Sequence, residues 1–106
     1  MQQQYATIRA QNRGRVGCWI VGYARVSLLA AGRALGHAAV PAHTGPAPAL
    51  FLRAGGSATA SLHGPSTCNA LLSDHARIAA PGQSSFTDAA LPMRGCALLI
   101  DAFAAA

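Results

Sequence analysis

Arg15-Val16-Gly17-Cys18-Trp19-Ile20-Val21-Gly22-Tyr23-Ala24-Arg25-Val26 is the stretch whose reading decides the fold. It is dense in β-branched and aromatic residues, the composition of a strand. Its apolar residues fall on both faces, as in a buried parallel strand. Residues two apart on a strand share a face. Tyr23, Arg25 and Ser27 therefore line one side, and Ile20, Gly22, Ala24 and Val26 line the other. The three polar residues gather at the strand's C-terminal end, where α/β sheets place their ligand sites.

Working downstream, Ser27 can cap a helix over residues 28–40. Leu28, Ala31, Leu35 and Ala38 lie on one face of it, and Pro41 ends it. Gly32 and Gly36 weaken that helix by about 1 kcal/mol each relative to Ala. Pro41–Pro48 and Arg53–Pro65 read as loops rich in Gly, Pro, Ser and Ala. A second helix is predicted over 69–80, where Leu71, Leu72, His75, Ile78 and Ala79 share a stripe between Pro65 and Pro81. Pro81–Asp88 reads as a loop, and 95–106 as a short helix or strand. Upstream, residues 1–14 are polar and read as a disordered arm.

The expected fold class is thus an α/β fragment: one strand, then short helices and much irregular, Ala/Gly/Pro-rich chain. The alternative is a mostly irregular chain with a few helices. The organisation divides into an arm (1–14), a strand–helix unit (15–40) and a low-complexity region (41–106) with its possible helices. The Gly, Pro and Ser of 41–68 and 81–92 leave the central strand poorly covered, which predicts a marginal fold.

Composition adds a second line of argument. The 106 residues suffice for one small domain, and only 10% are charged, against about 25% in ordinary globular proteins. There is no Lys and no Glu; the charge of +5 comes from eight Arg and three Asp. Ala, Gly, Pro and Arg make up nearly half of the chain, and 22 of the 25 Ala follow Leu28. Those four residue types share GC-rich codons, which points to a GC-rich reading frame with a change of character near Leu28. All-Arg usage suits phosphate recognition, because the guanidinium binds it in a bidentate way. Cys18, Cys68 and Cys96 form no CxxC pair and read as reduced, cytosolic thiols. Arg25 and Arg33 interrupt the apolar run from Cys18 to Val40, which argues against a signal peptide or a membrane span. The spacings of His37, His43, His63 and His75 with Cys68 and Cys96 match no metal-site pattern, so no metal is expected.

The stretch Ile20–Ser27 resembles the opening strand of serine recombinases of the resolvase/invertase family, which commonly reads (I/V)GYxRVS. The resemblance implies Ser27 as nucleophile, Arg25 as the scissile-phosphate ligand and Tyr23 as part of the strand signature. A Ser beside a guanidinium suits attack on a phosphodiester, the Ser holding the cleaved strand as an ester and the Arg stabilising the developing charge. It further implies duplex DNA and other recombinase protomers as partners, a cytoplasmic location and no cofactor. No membrane or small-molecule partner is implied. Leu28 and Ala31 stand where the family has Thr and Gln, and its D-R-x-x-R motif is reduced to Asp74 and Arg77 with His75 between them. The function expected from the resemblance is a truncated or frameshifted recombinase fragment, nominally for DNA strand cleavage and rejoining, and inactive. The alternatives are an uncharacterised product of a GC-rich frame with no selected function, or a small Arg-rich protein that binds nucleic acid non-specifically.

Overall fold

Side chains alternate between faces along a strand, and Gln3–Gln11 follows that rule closely. Gln4, Ala6, Ile8 and Ala10 turn inward, while Gln3, Tyr5, Thr7, Arg9 and Gln11 face solvent. In the computed structural model, which describes residues 2–106, this segment is strand β1. It is followed by β2 (Cys18–Val21), β3 (Arg25–Ala30), β4 (Arg33–Ala34), β5 (Val40–Pro41) and β6 (Ala49–Leu52). The second half supplies β7 (Ser57–Pro65), β8 (His75–Ala79), β9 (Thr87–Ala90), β10 (Leu99–Ile100) and β11 (Ala104–Ala105). Among the described residues there is no helix.

The strands form two sheets and a ribbon. One sheet runs β1-β7-β10-β5, with β11 also paired to β7; the other runs β4-β3-β8-β9; β2 and β6 form the ribbon. Every pairing is antiparallel except β10 with β5. Each sheet has one apolar face, and the two faces meet in one core. Ile8, Ala58, Ala60 and Leu62 from the first sheet join Ala24, Val26, Leu28 and Ala76 from the side of the second. Leu52, Met93, Leu98, Ile100 and Phe103 complete the cluster.

The centre of this arrangement is β7. Ala58, Ala60, Leu62 and Gly64 are buried, and Ser57, Thr59, Ser61, His63 and Pro65 alternate with them on the other face. It pairs with β1 over nine residues, from Gln3 opposite Pro65 to Gln11 opposite Ser57. A disulfide joins Cys68, just after β7, to Cys96, just before β10, with Cα atoms 5.9 Å apart. Cys18 is free and exposed.

The all-β architecture corrects the α/β expectation at several points. Arg15–Val26 is not one strand: Gly22, at φ +105°, turns the chain, so that β2 pairs with β6 and β3 with β8. Residues 28–40 do not form a helix. Leu28 and Leu29 lie in β3, and the chain reverses at Ala31 and Gly32, both with positive φ, to pair Leu29 with Ala34. Two successive positive φ values make the tight turn whose twist suits a two-residue hairpin. The segment read as a disordered arm carries β1, and the segment read as the Arg53–Pro65 loop carries β7. The helical stripe over 69–80 resolves into β8, and 95–106 into β10 and β11. The Gly/Ser-rich stretch thought too poor to cover a strand in fact supplies the core's central strand. The three thiols expected to be reduced are one free Cys and a disulfide.

Candidate functional site

Along β3 the outward positions are Arg25 and Ser27, with Val26 and Leu28 buried between and beyond them. Across the ladder, Ala79 of β8 stands opposite Arg25, and Arg77 stands opposite Ser27. The chain at Ala39 runs beside β3, its amide donating to the Val26 carbonyl at 2.9 Å. Phe86 and Ser84 come from the β8–β9 connection. Together these segments enclose an open groove of about 350 Å³ lined by Tyr23, Arg25, Ser27, Ala39, Pro41, Arg77, Ser84 and Phe86.

All three residues singled out by the sequence therefore border one groove. Tyr23 reaches it from the Gly22 turn, and its hydroxyl donates to the His43 carbonyl at 3.4 Å. Ser84 and Phe86 were not found from sequence, and Arg77 entered only as a remnant of the D-R-x-x-R motif, because all three lie some fifty to sixty residues away and no local motif links them to β3.

The two guanidinium groups differ in electrostatic state. Arg77 makes a bidentate pair with Asp88, Nε to Oδ1 at 2.9 Å and Nη2 to Oδ2 at 3.0 Å. Its guanidinium also lies 4.0 Å from the centroid of the Phe86 ring, in cation–π contact. Arg25 donates from Nη2 to the carbonyl of Gln83. Among the described residues no acid is paired with it, so its charge faces the groove without a counter-ion.

The hydrogen bonds and charge of Arg77 hold the Asp88 carboxyl below the usual carboxylate range. A depressed folded-state value means that the pair's contribution is present above the unfolded carboxylate value and is lost as pH falls through the folded one. Titration of the Asp88 carboxyl by NMR should therefore show an apparent pKa below 3.8. In Arg77→Gln it should return toward that value; an unshifted carboxyl in the native chain would mean that the ion pair is not formed in solution.

Among the described residues, neither a His nor a carboxylate lines the groove with Ser27. A general base within hydrogen-bond reach is one way to activate such a hydroxyl. Ser27 also lies within a strand rather than at a strand-to-helix junction. The arrangement can hold an anion and an apolar group side by side.

Fold and site together define a small, disulfide-linked β domain of two sheets whose groove presents an uncompensated arginine. The chain belongs to the family described as Domain of unknown function (DUF4232), which matches residues 1–97. No curated protein and no solved structure matches it. This finding overturns the recombinase resemblance and the recombination function drawn from it. No resolvase or recombinase family is detected, and the span matched, residues 1–97, extends on both sides of the change of character near Leu28. The six specified residues shared over Val21–Ser27 are a local coincidence of strand-forming and turn-forming types.

Proposed function

We propose that the chain is a non-catalytic binding module that works in an oxidising compartment. Its groove takes a ligand bearing a carboxylate or phosphate next to an apolar group. The observation supporting this reading most directly is that the uncompensated guanidinium of Arg25 shares one groove with the Phe86 ring and the hydroxyls of Ser27 and Ser84. Arginine matches the planar oxygens of such anions, and the ring, Ala39 and Pro41 offer the apolar wall. The compartment follows from the Cys68–Cys96 disulfide, because glutathione and thioredoxin keep cytosolic thiols reduced. This reading replaces the cytoplasmic, DNA-cleaving one.

Phenyl phosphate and benzoate are suitable probes. Titrated into the oxidised chain, they should shift the amide resonances of residues 23–27, 77 and 84–86 and leave the opposite sheet unchanged. Losing a charge-assisted hydrogen bond is worth about tenfold or more in affinity, so Arg25→Ala should weaken binding by at least that factor while Arg33→Ala should not. Shifts spread over all the Arg-bearing surface, or an affinity equal in Arg25→Ala and Arg33→Ala, would reject the groove as the site.

A further inference from the structure

At the ribbon end of the molecule, the structure presents a group of side chains that the groove does not use. The outward face of the β2–β6 ribbon shows Trp19 and Phe51, which are direct cross-strand partners, together with Val21. Trp19 is 65% exposed and Phe51 48%, two large aromatic groups side by side on the surface. They are held in place rather than loosely displayed. The rings meet edge to face with centroids 5.3 Å apart. Phe51 lies across Gly17, where a Cβ would come within 2.2 Å of its ring, so the glycine is the seat of the aromatic.

The arginines beside them are placed by a buried side chain. Asn12 is 8% exposed, and its amide nitrogen donates to the carbonyls of Val16, Leu52 and Arg53 at 2.9, 3.2 and 3.2 Å. Its oxygen accepts from the amide of Gly14 at 2.9 Å. This ties the turn that carries Arg13 and Arg15 to the end of β6, where Arg53 follows Phe51 and Leu52. All three arginines are exposed. No acidic side chain pairs with them: Asp74 pairs with His75, Asp88 with Arg77 and Asp101 with His63.

We propose that this end of the domain is a docking surface for an anionic lipid bilayer, with Trp19 and Phe51 inserted at the headgroup level and Arg13, Arg15 and Arg53 on the lipid phosphates. Tryptophan is enriched at that level of a membrane, and phenylalanine recurs on the apolar side of interfacial segments. Basic residues next to them are drawn to anionic headgroups. A second copy of the chain fits the surface less well, because a two-fold contact would set the three arginines against their own kind. The lipid surface offers both an apolar layer for the rings and a dense array of phosphates for the guanidinium groups. This proposal uses a different surface from the groove and does not depend on it.

Trp19 is the sole tryptophan of the chain, so its emission reports on this surface alone. The oxidised full chain is mixed with vesicles of phosphatidylcholine, or of phosphatidylcholine with phosphatidylglycerol, and followed by fluorescence and co-sedimentation. With the anionic vesicles, emission should shift to the blue and be quenched by brominated acyl chains. One kcal/mol per arginine at an anionic surface is about fivefold in partition. The combined Arg13→Gln, Arg15→Gln, Arg53→Gln variant should therefore lose about a hundredfold. By sedimentation, Trp19→Ala should lose at least tenfold, with Phe51→Leu as a milder variant; far-UV circular dichroism checks that each retains the native spectrum. Unchanged emission with anionic vesicles overturns the proposal. So does a blue shift given by a single-stranded oligonucleotide and not by lipid, or one that appears with protein concentration alone.

Discussion

Leu62→Ala is expected to destabilise the domain by about 4 kcal/mol, since truncating a fully buried Leu costs both its transfer free energy and a cavity. Leu62 has no exposed surface and lies on β7, the strand shared by β1, β10 and β11. The context makes that loss severe. The largest fully buried side chains are Leu62, Ile100 and Val26, and much of the remaining core is alanine. Domains of this size have only about 5–15 kcal/mol of stability in total. A loss of that size lowers the melting temperature by roughly 20 °C. Urea and thermal unfolding followed by circular dichroism measure it directly. A loss under about 1 kcal/mol would show that β7 is not the centre of the core.

Removing the disulfide should have an effect of similar size. Cys68 and Cys96 are 28 residues apart. Closing a loop of that length restricts the unfolded chain by about 3.5 kcal/mol at 25 °C in the chain-entropy account. The bond also sits in a locally cross-braced region. The Gln4 amide donates to the Arg94 carbonyl at 2.7 Å and its oxygen accepts from the Arg94 amide at 2.9 Å, while Arg94 reaches the Ala70 carbonyl at 3.0 Å. The double variant Cys68→Ser, Cys96→Ser should therefore unfold at much lower urea concentration than the oxidised chain, and reductant should reproduce the shift. Equal midpoints for oxidised and reduced protein would mean that the bond contributes nothing and would remove the case for an oxidising compartment.

The sequence made some of this architecture legible and concealed the rest for physical reasons. The strand character of Cys18–Val21 and of the residues after Gly22 is visible in their β-branched and aromatic content. Period-2 alternation correctly places Arg25 and Ser27 on one face, and the structure brings Tyr23 to the same groove. The turn at Gly22 was hidden because apolar residues continue on both sides of it. Strand β7 was hidden by its composition. Ser57-Ala58-Thr59-Ala60-Ser61-Leu62 alternates strictly, but its inward residues are mostly alanine, which gives a weak hydrophobic contrast and resembles a flexible loop. In Leu28-Leu29-Ala30-Ala31-Gly32-Arg33-Ala34 the high helix propensity of Leu and Ala was overridden by the hairpin at Ala31–Gly32 and by pairing with β8. Propensity is a weak prior where tertiary pairing is available. The groove partners Arg77 and Phe86 are brought to β3 only by that pairing, and a disulfide between Cys68 and Cys96 has no local spacing signal. The recombinase resemblance at Val21–Ser27 misled because a short motif names residue types and does not carry the fold around them.

The pairing of β1 with β7 also sets a timetable for the newborn chain. The partners are 46 residues apart at Gln11 and Ser57 and 62 apart at Gln3 and Pro65. At about 5–20 residues per second of synthesis, roughly 2–12 s pass between the making of an N-terminal residue and the making of its partner. Throughout that interval Ile8 and the inward alanines of β1 have no sheet to join. The alternating polar residues of Gln3–Gln11 keep the waiting segment hydrated, and its sparse apolar content gives other chains little to adhere to. The weakness of pattern that makes this strand hard to recognise in the sequence is thus what lets it wait in solution.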